Sequence, residues 1–324
     1  MLYFFNLGGF ILMDIVLLDS KTLGRDLDLS PLEKFGELTT FSTTSPAQTA
    51  NRIEEAQIVI TNKVVITKEL MQNASNLKLI CIAATGMNNV DLEAAEELGI
   101  MVRNVSGYST GSVVQHTFAL ALSLVGRLSS YNEIVQNGTW SDSELFTNLN
   151  HPFSEIAGKK WGIIGLGTIG KEVARVAEAF GANIEYFSTS GENKINDYHH
   201  CELEELFKLC DIISIHCPLN DNTLELINDS NLKLLKDKAI LLNLGRGGII
   251  NENDLAEELN RREIYVGLDV LAQEPIEKEN PLLHIEERDR LIITPHIAWS
   301  SIEARKKLLE GIIENIETYI KQKV

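Results

Sequence analysis

The sequence contains 324 residues, enough for two domains of ordinary size. Its hydrophobic fraction of 44% and charged fraction of 23% exclude disorder over most of the chain. The net charge of −17 disfavours contact with nucleic acid or anionic membranes, so we expect neither as a partner.

The first residues, MLYFFNLGGFILM, are apolar but too short to span a bilayer, and they lack the basic start of a signal peptide. We expect residues 1–12 to be an upstream extension and the folded chain to begin at Met13. No Cys-x-x-Cys pair is present, and several of the four cysteines lie in apolar runs, which is typical of free thiols in a reducing compartment. We therefore expect a cytoplasmic protein. The cysteines are Cys81, Cys201, Cys210 and Cys217.

Short apolar runs alternate with helical patterns along most of the chain, which predicts an α/β fold with parallel sheets covered on both faces. A first set of strands is predicted at residues 15–18, 58–61, 79–83 and 101–104. A second set is predicted at residues 161–164, 184–187, 212–216, 240–243, 265–269 and 291–294. Helices are predicted at residues 91–98, 169–180, 202–209 and 252–260.

A long region without strands, residues 109–152, separates the two sets. Its first part, SVVQHTFALALSLVGRL, predicts one buried helix, and we place a domain boundary near the start of that helix. The last segment of the chain is amphipathic, and because it follows the final strand we expect it to return to the first domain. Its apolar stripe comprises Leu308, Leu309, Ile312, Ile316 and Tyr319.

The segment GLGTIG follows a predicted strand and opens a predicted helix, the context in which a glycine-rich turn binds a dinucleotide. Gly165 allows the tight turn, Gly167 lets the backbone approach a pyrophosphate, and Gly170 lets the helix pack on the strand. The main-chain N–H groups of Thr168 and Ile169 lie at the helix N-terminus, which favours an anion. The sequence therefore predicts two Rossmann-like, doubly wound domains. Residues 110–299 form the dinucleotide-binding domain, and residues 13–109 with 300–324 form a discontinuous, flavodoxin-like domain.

The strand after this turn normally ends with an acid that binds the adenosine ribose. Here it ends at Ser188, followed by Thr189 and Ser190, and no Asp or Glu stands at the tip. These hydroxyls and Lys194 favour a 2′-phosphate, whereas Glu192 and the absence of Arg oppose one. The sequence favours NAD and leaves NADP open.

Three further segments follow predicted strands of the second set, where ligands bind in open α/β sheets. They carry Arg246 in NLGRGG, Glu274 in LDVLAQEP and His296 in TPHIAW. Taken singly, each has an ordinary structural explanation: a surface ion pair, a loop carboxylate or a hydrogen-bonded histidine. Their joint occurrence behind a dinucleotide turn indicates a catalytic site.

From Asp14 to its C-terminus the sequence resembles the D-isomer-specific 2-hydroxyacid dehydrogenases. The resemblance is carried by GLGTIG, DIISIHCPLNDNT, NLGRGGIIN, LDVLAQEP and TPHIAW. Within that family, ATGMNNVD, YSTGSVVQHTFALAL and PHIAWSS look most like bacterial glycerate dehydrogenases, also called hydroxypyruvate reductases. The resemblance implies reduction of hydroxypyruvate or glyoxylate by a reduced nicotinamide cofactor.

The resemblance also implies roles for the three polar residues. Arg246 would pair with the substrate carboxylate and polarise the keto oxygen, because a guanidinium matches a planar carboxylate. His296 would donate the proton to the developing alkoxide. Glu274 would orient His296 and favour its imidazolium form.

Further binding residues follow from the resemblance alone. Thr85, Gly86 and Met87 would bind the substrate carboxylate through main-chain N–H groups, which makes the discontinuous domain the substrate-binding one. Trp299 would line the substrate pocket or pack at the domain hinge. The family also implies a homodimer formed around the long helix and the segment through Trp140. The residues expected beside the dinucleotide are Cys217, Pro218, Leu244 and Asp269.

No metal site is predicted. His199 and His200 adjoin without a third ligand at a usual spacing, and we interpret them as solvated loop histidines. His116, on the predicted long helix, is interpreted as a packing or interface residue.

The sequence argues against two other activities known in the family and leaves a third open. A formate dehydrogenase would pair its histidine with Gln rather than Glu274, and a phosphoglycerate dehydrogenase would need more positive charge. A D-lactate or other D-2-hydroxyacid dehydrogenase remains open, because one pocket residue shifts side-chain preference by only about 1–3 kcal/mol. A dinucleotide-sensing co-repressor of the same fold also remains open, since it can retain all three polar residues.

Overall fold

The computed structural model describes residues 13–191 and 197–322. The described chain divides into two compact units, and the backbone passes between them after Ser109 and again after Trp299. The first unit therefore contains the N-terminal residues together with those from Ser300 onwards, and the second is Thr110–Trp299. No helix in the described ranges is both long and apolar enough to cross a membrane.

The first unit is built on a five-stranded parallel sheet with strand order β2-β1-β3-β4-β5. Strands β1, β3 and β4 are almost entirely buried, as expected for a parallel sheet covered on both faces. The strands are β1 Met13–Leu17, β2 Gly36–Thr40, β3 Ile58–Thr61, β4 Leu79–Ile82 and β5 Met101–Arg103. The helices are α1 Pro46–Ile53, α2 Lys68–Asn73, α3 Leu92–Glu97 and, from the end of the chain, α10 Ile302–Lys321. The predicted apolar stripe of α10 is buried.

The second unit is built on a seven-stranded parallel sheet with strand order β12-β11-β10-β9-β6-β7-β8. The strands are β6 Lys160–Ile164, β7 Asn183–Phe187, β8 His199–His200, β9 Ile212–Ile215, β10 Ile240–Asn243, β11 Tyr265–Leu268 and β12 Leu291–Ile293. The helices are α4 Thr110–Val125, α5 Leu128–Gln136, α6 Thr168–Ala179, α7 Leu203–Leu209, α8 Asp229–Leu232 and α9 Glu252–Arg261.

Each face of this second sheet carries an apolar core. Buried residues of α4 and α6 pack on one face, and buried residues of α7, α8 and α9 pack on the other. The sheet order reverses between β6 and β9, because the chain builds outward in both directions from β6. In such sheets ligands bind outside the carboxyl ends of the strands at that reversal. The predicted class, two Rossmann-like parallel-sheet domains, is confirmed.

Two local predictions are wrong. The long helix does not run on through Leu128: α4 ends at Val125, and α5 begins after Arg127, whose φ of 54° is left-handed and interrupts the helix. His199 and His200 are not loop residues but form β8, an edge strand paired with β7. The edge position explains why both histidines are exposed although their backbone belongs to the sheet.

Candidate active site

The glycine-rich turn after β6 is tightly packed on its inner side. Gly165 has a φ of 92°, and its N–H donates to the carbonyl oxygen of Phe187 at 3.0 Å. A Cβ at Gly165 would collide with Cys217, and one at Gly170 would overlap the carbonyl oxygen of Gly165. Both glycines are therefore required by close contact, as the motif predicts.

Gly167, in contrast, faces open space. It is the N-cap of α6, and a Cβ built on it meets no atom within 4 Å. The first N–H groups of α6, including those of Thr168 and Ile169, thus lie beside open space. A side chain at position 167 would occupy part of that space, whereas glycine leaves it free. These features fit the pyrophosphate of a dinucleotide.

The end of β7 carries a neutral group at the position expected for ribose recognition. Ser188 is buried, with 7% of its surface exposed. No described residue gives its Oγ a hydrogen-bond partner. Lys194 and Glu192, which the sequence also placed here, lie outside the described residues. A buried, unpaired hydroxyl is a group that a ligand can satisfy.

The segment after β9 passes between two glycine-bearing loops. Cys217 contacts the position of a Cβ on Gly165, and its carbonyl oxygen lies 2.9 Å from the position of a Cβ on Gly245. Burial raises the pKa of the Cys217 thiol to about 11, so the thiol stays neutral at physiological pH. Pro218 is exposed, and its carbonyl oxygen accepts a 2.7 Å hydrogen bond from Thr223.

The loop after β10 presents Arg246. Asn243, buried at the end of the strand, accepts from the N–H of Gly245 at 3.0 Å and donates to the carbonyl oxygen of Arg246 at 2.9 Å. The guanidinium of Arg246 is exposed and donates to the carbonyl oxygen of Gly245 at 2.8 Å. Leu244 is buried beneath the loop. Asn243 was not singled out from the sequence, although it lies in the same NLGR segment.

This loop packs directly against the one that carries Glu274. A Cβ on Gly247 would overlap the carbonyl oxygen of Leu271, so only a glycine allows this approach. The N–H of Leu271 in turn donates to Oε1 of Glu274 at 3.0 Å. Arg246 and Glu274 therefore belong to two loops in direct contact.

His296 and Glu274 form a pair, with Nδ1 of His296 2.6 Å from Oε2 of Glu274. Because an ionised carboxylate only accepts hydrogen bonds, Nδ1 carries a proton and Nε2 is the nitrogen left to exchange one. The side chains are 25% and 34% exposed, so the pair is within reach of a ligand. The geometry is that of an imidazole ring held in one orientation by a carboxylate.

Asp269 holds the backbone around His296. Its carboxylate, 2% exposed, accepts from the hydroxyl of Thr294 at 2.6 Å and from the N–H groups of Ile297 at 2.9 Å and Ala298 at 2.8 Å. Its main-chain oxygen accepts from the N–H of His296 at 2.9 Å. The sequence placed Asp269 near the cofactor but did not reveal that it clamps this segment. Of about four lone-pair positions on the carboxylate, three are used.

In the first unit, the loop Thr85-Gly86-Met87 follows β4. Asn104 donates to the carbonyl oxygen of Thr85 at 2.6 Å, and the hydroxyl of Thr85 donates to Val105 at 3.3 Å. These bonds anchor the loop on the segment after β5.

Trp299 is the last residue of the second unit, and its side chain is half-buried. No group of three potential metal-ligating side chains occurs among residues 13–191 and 197–322.

The NAD binding domain of the D-isomer specific 2-hydroxyacid dehydrogenase family matches residues 118–298, more than half of the chain. The chain belongs to this family. A hydroxypyruvate reductase of Blautia hydrogenotrophica is 37% identical over 318 residues, covering 95% of this dehydrogenase and 97% of the relative. A glycerate dehydrogenase of Methylorubrum extorquens is 35% identical over 280 residues, covering 86% and 87%.

A solved structure shows the same fold over nearly the whole chain. An acyclic imino acid reductase in complex with NADPH and D-Arg superposes on this dehydrogenase with a TM-score of 0.84 and 30% identity, covering 96% of this chain and 98% of that one. The resemblance predicted from GLGTIG, NLGRGGIIN and TPHIAW is therefore confirmed at the level of the family.

Proposed function

We propose that this dehydrogenase reduces a small 2-keto acid, hydroxypyruvate or glyoxylate, and that it forms D-glycerate from hydroxypyruvate. The observation that carries the proposal is the His296–Glu274 pair, 2.6 Å apart, beside the loop of Arg246. Relatives named hydroxypyruvate reductase and glycerate dehydrogenase, at 37% and 35% identity, support this choice of substrate.

The residues around the glycine-rich turn fit a nicotinamide dinucleotide. Thr168, Ile169 and the open face at Gly167 would hold the pyrophosphate, and Ser188 the adenosine ribose. Further residues assigned to the cofactor are Gly165, Gly170, Cys217, Pro218, Leu244 and Asp269. These residues would hold a reduced nicotinamide cofactor, which would supply the hydride for the keto carbon. We assign NAD as the cofactor, with NADP as the alternative that the neutral Ser188 leaves open.

The residues of this chain supply the anchor and the proton. Arg246 binds the substrate carboxylate through its planar guanidinium and polarises the keto oxygen. His296 gives the proton on Nε2 to that oxygen as negative charge develops there. Glu274, bonded to Nδ1, fixes the orientation of the ring, and the doubly protonated ring is the form able to donate from Nε2. In the oxidation direction the neutral ring takes the proton back.

Two further elements are assigned to the substrate. The loop Thr85-Gly86-Met87 is proposed to bind the carboxylate through main-chain N–H groups, because it follows a buried parallel strand as such ligand loops do. Trp299 is proposed to line the substrate pocket, since its half-buried ring directly follows the His296 segment.

We further propose a cytoplasmic homodimer. All four cysteines are free and buried, as expected of a protein in a reducing compartment. A second copy of the chain is the proposed partner for an exposed apolar segment between α5 and β6. Single exposed apolar residues are normal on a protein surface, but five large ones within 14 residues indicate an interaction surface. That segment comprises Trp140, Leu145, Phe146, Leu149 and Phe153.

The test of the activity is loss of the reduced-nicotinamide absorbance with hydroxypyruvate, glyoxylate and pyruvate, each run with NADH and with NADPH. We expect the highest kcat/KM with hydroxypyruvate or glyoxylate. Preference for pyruvate would replace the proposal with a D-lactate dehydrogenase. Binding of a dinucleotide without turnover of any 2-keto acid would overturn it in favour of a dinucleotide sensor.

A further inference from the structure

His116 lies on α4, far in sequence from the catalytic segment, yet its side chain reaches that segment. Its Nε2 is 2.9 Å from the hydroxyl oxygen of Thr294. Its side chain is mostly buried, and the ring lies within the same unit as His296. The interpretation of His116 as a packing or interface residue therefore misses a polar contact made next to the active site.

The hydrogen-bond inventory fixes the direction of this contact. A threonine hydroxyl has one proton, and Oγ1 of Thr294 lies 2.6 Å from Oδ1 of Asp269, which can only accept. The other acceptor within reach, the carbonyl oxygen of Leu268, is 3.5 Å away and competes weakly. Thr294 therefore donates to Asp269 and must accept from His116. It follows that Nε2 of His116 carries a proton.

The contact between His116 and Asp269 is indirect. Nε2 of His116 is 3.6 Å from Oδ1 of Asp269, too long for a hydrogen bond. The route through Thr294 has two bonds of 2.9 Å and 2.6 Å. Bonds that point the same way along a chain polarise one another, so the proton on His116 strengthens the bond that Thr294 makes to Asp269.

The chain of bonds ends at the catalytic histidine. Asp269 accepts from the N–H groups of Ile297 and Ala298, which directly follow His296. His296 itself has a φ of 54°, a left-handed conformation that a non-glycine residue holds only when its surroundings impose it. The Asp269 carboxylate is one of the groups that impose it, so whatever fixes this carboxylate also fixes the His296 ring.

We propose that His116 is a positioning residue for this reaction: acting through Thr294, it fixes the Asp269 carboxylate and thereby the backbone that presents His296. Its hydrogen bond goes to Thr294, so we assign it no direct contact with substrate or reacting atoms. The inference rests on the proposed function, because it assumes that His296 is the proton donor. We expect its effect on the chemical step and not on binding of the keto acid, since its hydrogen bond to Thr294 leads to the His296 segment and not to the loop of Arg246.

The kinetic test compares His116→Ala, His116→Gln, Thr294→Val and the double variant His116→Ala/Thr294→Val. We expect kcat to fall about tenfold in His116→Ala, because small displacements of catalytic groups cost that much or more, while KM for hydroxypyruvate changes by less than about threefold. His116→Gln keeps an N–H donor at similar reach and should recover kcat to within about threefold of the wild type. His284→Ala, which removes an exposed histidine bonded to the carbonyl oxygen of Lys278, is the control.

The double variant tests the route. If His116 acts through Thr294, the double variant is no slower than the slower single variant. Independent effects, with the two losses multiplying, would overturn the proposal. So would a kcat within about twofold of wild type in His116→Ala, or a His116→Gln enzyme as slow as His116→Ala. If His116→Ala does not fold, His116→Gln and Thr294→Val carry the same comparison.

A spectroscopic measurement separates this proposal from the proposed function. In wild-type protein labelled with ¹⁵N-histidine, the resonance lost in His116→Gln should be that of a ring protonated at Nε2, with slow proton exchange. A ring protonated only at Nδ1 would overturn the relay even in a fully active enzyme. Conversely, a wild-type protein that shows the Nε2 proton but reduces no 2-keto acid would overturn the proposed function and not the hydrogen-bond chain.

Discussion

Arg246 is the residue whose exposed guanidinium we assign to the substrate carboxylate, while its backbone is fixed by Asn243. Because the side chain of Asn243 holds the loop by hydrogen bonds to the main chain of Gly245 and Arg246, truncating the Arg246 side chain should leave the loop in place. The consequences of removing the guanidinium should therefore appear in substrate use and not in folding.

For Arg246→Ala we expect kcat/KM for hydroxypyruvate to fall roughly 100-fold or more, since a bidentate charged pair contributes about 3 kcal/mol. The dissociation constant for NADH, measured by fluorescence, should change by less than about threefold. Arg246→Lys is the control, because it keeps the charge but loses the planar guanidinium. Its kcat/KM for hydroxypyruvate should lie between those of the wild type and Arg246→Ala. Unchanged kinetics in Arg246→Ala would remove this residue from the site.

Ser188 governs the choice between the two cofactors in this account. An aspartate there would repel a 2′-phosphate and accept from the ribose hydroxyls. We expect Ser188→Asp to lower the ratio of kcat/KM for NADPH over NADH at least tenfold, with 2′,5′-ADP binding reduced in parallel. Ser188→Ala, which removes the hydroxyl without adding charge, is the matched control. A ratio that stays the same in Ser188→Asp would show that recognition of the ribose lies elsewhere.

Sequence motifs singled out Arg246, Glu274 and His296 as candidate site residues because each occupies a fixed position after a predicted strand. The contacts that support these residues could not be predicted from sequence motifs. The bond between His116 and Thr294 joins residues 178 positions apart, and the Asp269 clamp depends on a left-handed turn at His296. Such contacts arise only when the strands are aligned in three dimensions.

Among the strands, those that the sequence did not predict have little apolar surface. Strand β2, GELTT, is a largely exposed edge strand, and β8 contains only two histidines. Neither has the buried apolar run by which the central strands were recognised. The break between α4 and α5 was also missed, because the left-handed residue is Arg127 and not the preceding Gly126.

Two glycines of the dinucleotide turn should respond oppositely to alanine. A Cβ at Gly170 overlaps the carbonyl oxygen of Gly165, so Gly170→Ala should destabilise the second unit by about 1–3 kcal/mol, which a lower Tm will report. A Cβ at Gly167 meets nothing, so Gly167→Ala should keep its Tm but weaken NADH binding. Equal Tm values for the two variants, or unimpaired NADH binding in Gly167→Ala, would contradict this account of the turn.

On the scale of the whole molecule, the order of elements was the most predictable feature. The long strand-free region and the amphipathic last helix both follow from hydrophobic patterning, because each must bury an apolar face. Surface features were harder to predict from the sequence, because nothing in the hydrophobic periodicity distinguishes an exposed Phe146 from a buried one. The structure leaves Phe146 91% exposed.

We expect the protein to elute with twice the mass of one chain, because the apolar segment from Trp140 to Phe153 would otherwise face water. Phe146→Asp should shift the protein toward the monomer in sedimentation at micromolar concentration. Val65→Asp, which changes an exposed apolar residue in the other unit, is the control. A wild-type protein that is monomeric throughout, or a Phe146→Asp dimer of unchanged affinity, would contradict the proposed interface.

The most direct test of the central claim is turnover of hydroxypyruvate by His296→Ala, with NADH binding measured on the same sample. Loss of a general acid should lower kcat at least about 100-fold while the dissociation constant for NADH stays within about threefold, because the glycine-rich turn is untouched. A kcat within about twofold of wild type would show that the proton comes from another group and would contradict the mechanism.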